Sequence, residues 1–106
     1  MRVLFDQGVP VPLRVLLEGH SVRTAAEESW DRLRNAELLT AAEAARFDVF
    51  LTTDKNLQYQ QNLAGRRIAV IVLTKQQWPD LREQASRVIA AVNSAVAGSY
   101  VEVNIP

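Results

Sequence analysis

Two aspartates, Asp6 and Asp54, each follow a short run of hydrophobic and β-branched residues. The first run is RVLF at residues 2–5, and the second is DVFLTT at residues 48–53. Such runs are typical of buried strands in a parallel sheet, and open α/β sheets bind ligands beyond the carboxyl ends of their strands. We therefore expect both carboxylates at one edge of the sheet. Because like charges repel at short range, such a pair usually needs a divalent cation or a shared proton, and metal-dependent chemistry on a phosphate is the leading hypothesis.

A third acid, Glu37, is predicted in the first turn of a helix for which Asn35 is the predicted N-cap. Mg²⁺ and Mn²⁺ prefer hard oxygen ligands, commonly one or two carboxylates completed by waters and substrate phosphate. A cation held in this way polarises a phosphodiester and lowers the pKa of a bound water, so that hydroxide can attack. Asp6, Glu37 and Asp54 are therefore the candidate metal ligands and catalytic residues.

Each of these acids also has a purely structural interpretation, which stays open at this point. Asp6 can accept backbone amides in the Gln7–Gly8 turn, and Asp54 can cap a helix that follows it. Glu37 can complement the helix dipole, which contributes a few tenths of a kcal/mol up to about 1 kcal/mol. Two aspartate-tipped strands nevertheless require two independent coincidences.

Polar residues near the aspartates are candidates for substrate binding. A hydroxyl of Thr52 or Thr53 can donate to a metal-bound water or a phosphate, and Lys55 and Arg66 can line a phosphate-binding rim together with Arg67. The alternative is that these residues are ordinary strand and solvated surface positions. His20 is interpreted as a turn residue. The large aromatic residues Trp30, Tyr59 and Trp78 either stack on bases or belong to the core.

The composition predicts one small domain of 106 residues with a single core. There is no cysteine, which fits a reducing cytosol, and no leader-like segment or membrane-length apolar run of about 18 residues is visible. We therefore expect a soluble, cytoplasmic protein. Twelve basic and twelve acidic residues give zero net charge. Any RNA partner must then be held by a local patch instead of by bulk electrostatics.

The hydrophobic pattern predicts the order β-α-β-α-β-α-β-α-β, which is an α/β protein with a mainly parallel sheet of about five strands in three layers. Its crossovers are expected to be right-handed. Predicted helices follow Pro12, run from Asn35 to about Arg46, and extend without a break from Pro79 to Gly98, whereas residues 57–62 are a short helix or a loop. The last strand, around residues 101–105, can pair in either direction because the link before it is short.

Three segments resemble the small PIN-like proteins of the DUF5615 family, relatives of the Mut7-C and VapC-type PIN domains. They are VLFDQ at residues 3–7, NAELL at residues 35–39 and LTTDKNL at residues 51–57. The resemblance covers most of the first 75 residues, and the TTDKN part is the most specific. It implies a PIN-like α/β/α fold, an acidic pocket for Mg²⁺ or Mn²⁺, and ribonuclease activity. It also implies a role as the toxin of a toxin–antitoxin pair, with a cognate antitoxin and a homodimer as partners.

Carried over by position, the resemblance matches Asp6 to the first-strand aspartate, Glu37 to the helix acid and Asp54 to the strand-tip aspartate. Asn35 and Asn56 stand where the family commonly has acids. An amide can still bind metal or water, so both are further candidates for substrate binding. Each replacement removes a negative charge and is expected to weaken cation affinity.

Three hypotheses follow for the function. The first is a metal-dependent ribonuclease. The second is a catalytically weak or inactive PIN-like module that acts through protein or RNA binding, which Asn35 and Asn56 favour. The third is a receiver-like phosphoacceptor, with Asp54 at a strand tip and Thr74–Lys75 after a later strand. The third is the weakest, because receivers need adjacent acids after the first strand and Asp6 is followed by Gln7.

Overall fold

The computed structural model describes residues 1–57 and 63–106. It contains β1 (Arg2–Phe5), the 3₁₀ helix η1 (Val11–Leu16), β2 (Ser21–Thr24), α1 (Asn35–Ala44), β3 (Val49–Thr52), β4 (Ala69–Leu73), α2 (Trp78–Glu83), α3 (Ala85–Asn93) and β5 (Tyr100–Val103). All five strands are parallel, in the order β2-β1-β3-β4-β5. The predicted α/β class and parallel sheet are confirmed. The antiparallel alternative for β5 is wrong.

The strands are hydrophobic on both faces because helices cover both sides of the sheet. All residues of β3 and β4 are buried. On one face, here called the α1 face, Leu4 and Phe50 pack with Leu39 of α1. On the other, here called the α3 face, residues of β1 and β3 pack with Leu13 of η1 and Val88 of α3. These two layers of apolar side chains hold the sheet between its helices.

One connection departs from the predicted right-handed pattern. The β2–β3 and β4–β5 connections step in the same direction across the sheet, but α1 covers one face and α2 and α3 cover the other. They therefore have opposite hands. The β1–β2 connection steps the other way over the α3 face, so it shares the hand of the β2–β3 connection. The β4–β5 connection thus differs in hand from the other two, and because about 98% of parallel crossovers are right-handed, we assign the left hand to it.

The left-handed connection has a packing reason. The connection between β1 and β2 contains only the six-residue η1, which is too short to cover the α3 face alone. Leu81 of α2 and Val88 and Val92 of α3 are fully buried there against the middle of the sheet. A right-handed return from β4 would leave this apolar surface in water.

The prediction of one long helix from Pro79 to Gly98 is wrong. The helix is interrupted at Gln84, whose φ of −108° and ψ of 24° are not helical, and α3 ends at Asn93. The break allows α2 to contact η1 while α3 packs on β4 and β5. Val96, which lies within the predicted helix, is beyond the end of α3 and is 65% exposed.

Smaller differences affect the other elements. Asn35 is the first residue of α1, so Arg34 and not Asn35 is the N-cap, and the helix ends at Ala44. The predicted helix after Pro12 is a 3₁₀ helix. Apart from Leu57, the helix or loop predicted at residues 57–62, including Tyr59, lies outside the described residues. No helix in the described segments is both long enough and apolar enough to cross a membrane.

Trp30, Trp78 and His20 make contacts that belong to the fold. The Trp30 and Phe47 rings meet edge to face with centroids 6.0 Å apart, and Trp78 packs against the core of the α3 face. His20 Nε2 lies 2.7 Å from Asn93 Oδ1, which ties the start of β2 to the end of α3. These contacts support the core and turn interpretations.

Glu43 fastens α1 to the start of β4. Its Oε1 accepts a hydrogen bond from Arg66 Nη1 at 2.7 Å, and its Oε2 accepts from the backbone N–H groups of Arg67 at 2.6 Å and Ile68 at 3.3 Å. Burial raises the pKa of Glu43, but the Arg67, Arg66 and Ile68 hydrogen bonds together outweigh it. The net pKa is below its ordinary value of 4.5. This carboxylate is therefore more stable ionised in the folded chain than in the unfolded chain.

We expect Glu43→Gln to lower the free energy of unfolding by about 1–3 kcal/mol near neutral pH, because charge-assisted hydrogen bonds are lost. The stabilisation by ionised Glu43 is present above its unfolded pKa of 4.5 and is lost as the pH falls through the lower folded pKa. Urea unfolding of the wild type and the variant therefore gives curves that converge below pH 4.5. Glu18→Gln, at an exposed glutamate, is the matched control. A difference that stays constant down to about pH 3 contradicts the assignment.

Candidate functional site

The two aspartates lie at the point where the strand order reverses. The connection after β1 leads to β2 on one side, and the connection after β3 leads to β4 on the other side. The two connections therefore leave the β1–β3 boundary in opposite directions. Phe5 pairs with Leu51, and the N–H of Asp6 donates to the carbonyl of Leu51 at 2.9 Å. In doubly wound sheets of this 2-1-3-4-5 order, ligands bind at the carboxyl edge of this boundary. Asp6 and Asp54 are the acids that follow its two strands.

Thr52, at the end of β3, connects the two aspartates. Its hydroxyl donates to Asp6 Oδ2 at 2.8 Å and accepts from the backbone N–H of Asp54 at 3.1 Å. Thr52 is fully buried, and among the residues that the structure describes it is the one polar residue in the buried class. A buried hydroxyl with both functions satisfied fixes its partners strongly, because breaking either bond leaves an unpaired polar group.

The remaining carboxylate oxygens also accept hydrogen bonds. Asp6 Oδ1 accepts from the N–H of Gln7 at 2.9 Å, and Asp54 Oδ1 accepts from the N–H of Asn56 at 3.0 Å. Asp54 Oδ2 accepts from Asn35 Nδ2 at 3.3 Å. The turn interpretation of Asp6 is thus confirmed, and Asp54 likewise accepts a backbone amide of the turn after it. Asn35 and Asn56 both donate hydrogen bonds to Asp54. Asn35 donates through its side-chain amide and Asn56 through its backbone N–H.

Glu37 is oriented toward its own helix start. Its Oε1 accepts from the backbone N–H of Arg34 at 3.5 Å, and its side chain is exposed. This contact agrees with the helix-terminus interpretation. Within residues 1–57 and 63–106, no three acidic or histidine side chains are grouped so that they could hold a metal ion. Glu37 is therefore not part of a preformed cluster with Asp6 and Asp54.

The predicted basic rim divides between two locations. Lys55 lies beside Asp54 and lines a cleft with Thr53. Arg66 instead pairs with Glu43 at 2.7 Å and reaches the Thr40 hydroxyl on α1 at 3.3 Å. Only a fifth of its side chain is exposed, and it contributes to the fold where α1 meets β4. The structure therefore brings Lys55, but not Arg66, to the edge of the sheet where Asp54 follows β3.

Gly8 allows the turn after Asp6 to approach β3 closely. A Cβ atom at residue 8 would clash with the hydroxyl oxygen of Thr53. Glycine is used here because the backbone must pass close to another residue, and no positive φ angle is involved. The sequence alone did not indicate this contact, nor that of Thr52 with Asp6, because both join residues more than 40 positions apart.

The donor set at this edge is of the kind that Mg²⁺ or Mn²⁺ takes, although it is small. Asp6 and Asp54 supply carboxylate oxygens, each of which keeps a free lone pair beyond its present hydrogen bond. The amide of Asn35, turned over, offers its oxygen in place of its nitrogen. Mg²⁺ typically uses one or two carboxylates and fills its other positions with water and phosphate oxygens. The residues fit such a cation.

Comparison with known proteins assigns no family. The sequence matches no protein-family model, and no solved structure matches the chain. A stretch of 80 residues is 31% identical to the leucine–tRNA ligase of Hyphomonas neptunium and covers 76% of this chain but 9% of the ligase. The chain thus spans less than a tenth of that enzyme, so the enzyme's activity is not carried over.

We expect Thr52→Val to lower the free energy of unfolding by about 1–3 kcal/mol, because it leaves Asp6 Oδ2 and the N–H of Asp54 without their buried partner. Thr52→Ser keeps the hydroxyl and is the control, with a smaller loss from the missing methyl group of about 1 kcal/mol. Urea unfolding measures both variants. If Val is tolerated as well as Ser, the hydroxyl does not organise this edge.

Gly8→Ala should destabilise the chain by about 1–3 kcal/mol, since the added methyl group overlaps the hydroxyl of Thr53. Removing that hydroxyl in the Gly8→Ala/Thr53→Ala double variant should restore most of the loss. Thermal unfolding of the two single variants and the double variant gives the coupling energy. Additive effects would show that the two residues do not meet.

Proposed function

We propose that this chain is a metal-dependent ribonuclease centred on Asp6 and Asp54. The observation that carries the proposal is the pair of aspartates beyond adjacent parallel strands, joined through the buried hydroxyl of Thr52 at the reversal of strand order. The PIN-like resemblance of the segments around Asp6, Glu37 and Asp54 supports the same assignment. The role as a toxin with a cognate antitoxin rests on that resemblance alone.

The residues of the chain act mainly by positioning. Thr52 and the turn amides hold the two carboxylates in fixed orientations, so that little reorganisation is needed when a cation or substrate enters. Asp6 and Asp54 would hold Mg²⁺ or Mn²⁺, which would polarise the phosphodiester and lower the pKa of a water. Lys55 is exposed next to Asp54 and is the nearest cation in sequence for a substrate phosphate. Asn35 orients Asp54. Glu37 is proposed to orient the attacking water, for which its side chain has to leave the N–H of Arg34.

A second candidate is a PIN-like module that binds RNA or protein without cleaving it. The observation that favours this candidate is the orientation of Glu37, which is hydrogen-bonded at its own helix start instead of beside the aspartates. Asn35 occupies one Asp54 oxygen through its amide and adds no charge. A site with two carboxylates has less negative charge to hold a cation than a site with four.

Incubation with mixed single-stranded RNA, with Mn²⁺ or with EDTA, separates the two candidates. We expect wild type to cleave RNA only with the metal, and Asp6→Asn and Asp54→Asn each to reduce the rate by about 100-fold or more, because several kcal/mol of charge stabilisation are lost. Asp48→Asn is the matched control. Asp48 precedes β3 as Asp54 follows it, and it accepts a backbone N–H from Arg2 that asparagine can also accept.

Thermal unfolding with Mn²⁺ provides a readout that does not depend on turnover. Metal should raise the melting temperature of wild type and Asp48→Asn but not of Asp54→Asn, since a cation that binds only the folded state stabilises it. Equal inactivity of wild type and both site variants, with no metal-dependent shift, contradicts the nuclease proposal and favours the binding module.

A further inference from the structure

A cleft of about 510 Å³, lined by polar residues, opens beyond the carboxyl ends of β3 and β4. Thr53 and Lys55 line it from the β3 side, and residues 74–77 line it from the β4 side. β3 and β4 are paired along Val49–Thr52 and Ala69–Val72, so the segments after them start side by side. Two lysines that are far apart in sequence, Lys55 and Lys75, therefore share one concave surface.

The cleft is contiguous with the aspartate edge. Thr53 and Lys55 immediately flank Asp54 in the chain, and the backbone of Gly8, two residues after Asp6, packs on the Thr53 hydroxyl. A Cβ atom at residue 8 would also lie 3.6 Å from Gln76 Oε1 on the β4 side. A strand of RNA with one phosphate at the aspartates thus has the cleft as its next surface.

The charges of the cleft suit a phosphodiester. Lys55 and Lys75 are exposed, and the ion pairs found within the described part of the chain are all between arginine and glutamate. An ammonium group acts on phosphate as a compact point charge, and threonine hydroxyls and glutamine amides add neutral donors. Asp80 of α2 also lines the cleft and opposes an anion. The balance is two positive charges against one.

We propose that this cleft is a phosphate-binding subsite for single-stranded RNA, with Lys75 and Lys55 as the charged contacts. The subsite deepens the ribonuclease proposal and rests on it, because it receives the phosphate next to the one at Asp6 and Asp54. It also explains how a chain with zero net charge holds RNA, since the positive charge needed is local. In this proposal Lys75 is the phosphate-binding partner of Lys55, a role that the sequence pattern predicts for Arg66.

Binding of a fluorescein-labelled oligouridylate in EDTA, followed by fluorescence anisotropy, tests the subsite without any hydrolysis. We expect Lys75→Gln and Lys55→Gln each to weaken binding about tenfold, as for loss of one charge-assisted contact. Each variant should also lower the slope of log K against log salt by about 0.7, the value for one phosphate of a single strand. Asp80→Asn should tighten binding severalfold, because it removes the opposing charge.

Arg67→Gln is the matched control, because it removes the same charge from an exposed residue just before β4, whereas Lys75 lies just after β4. The four residue steps of β4 alone, at about 3.3 Å each, separate its two ends by roughly 13 Å. We expect binding by Arg67→Gln within about a factor of two of wild type, because exposed charges more than about 10 Å apart are largely screened. All the substituted residues except Asp80 are exposed, and melting temperatures confirm that the variants fold.

The outcomes separate the subsite from the nuclease. If wild type cleaves RNA with Mn²⁺ but the lysine variants bind like Arg67→Gln, the subsite is wrong and the nuclease proposal stands. If the lysine variants lose affinity while no variant or wild type cleaves RNA, the subsite belongs to a binding module and the nuclease proposal fails. Absence of RNA binding by wild type in EDTA contradicts the subsite.

Discussion

The parallel pairing of β1 with β3 is the constraint on which the rest of the molecule depends. Phe5 and Leu51 are fully buried partners, and their strands are followed by Asp6 and Asp54, which are 48 positions apart. Because the strands are parallel, the segments that follow them leave the sheet at the same edge. An antiparallel pairing would send the two aspartates to opposite edges. The register sets the distance between them, and helices on both faces keep that register from slipping.

Thr52 converts this register into an organised pair of carboxylates. Its hydroxyl has no exposed surface, and its two hydrogen bonds go to Asp6 and to the backbone of Asp54. The same aspartates also accept turn amides, so their structural and chemical roles are not exclusive. A carboxylate that is held by a turn keeps lone pairs for a cation or a donor from a substrate. The hydrogen bonds position the acids, and the chemistry depends on what binds next to them.

The sequence predicted best those features that depend on neighbouring residues along the chain. The hydrophobic pattern predicted five strands, and the position of Asp6 and Asp54 after two of them predicted their shared edge. The hydrophobic pattern gave wrong predictions for features that depend on packing between residues distant in sequence. Continuous helical spacing across Gln84 hid the break, because Leu81, Val88 and Val92 are buried on the same face with or without it. The pairing of Arg66 with Glu43, 23 positions away, and the approach of Lys75 to Lys55 depend on which strands are neighbours.

The left-handed return from β4 to β5 has a consequence for the order in which the chain can acquire its structure. The apolar α3 face of β1, β3 and β4 is covered mainly by α2 and α3, which come after all three of those strands in the chain. A chain that ends after Leu73 therefore contains four of the five strands but only η1 to cover their α3 face. Most of that face gains its cover only when the last third of the chain has been synthesised, and transiently exposed apolar surface of this kind is prone to aggregation.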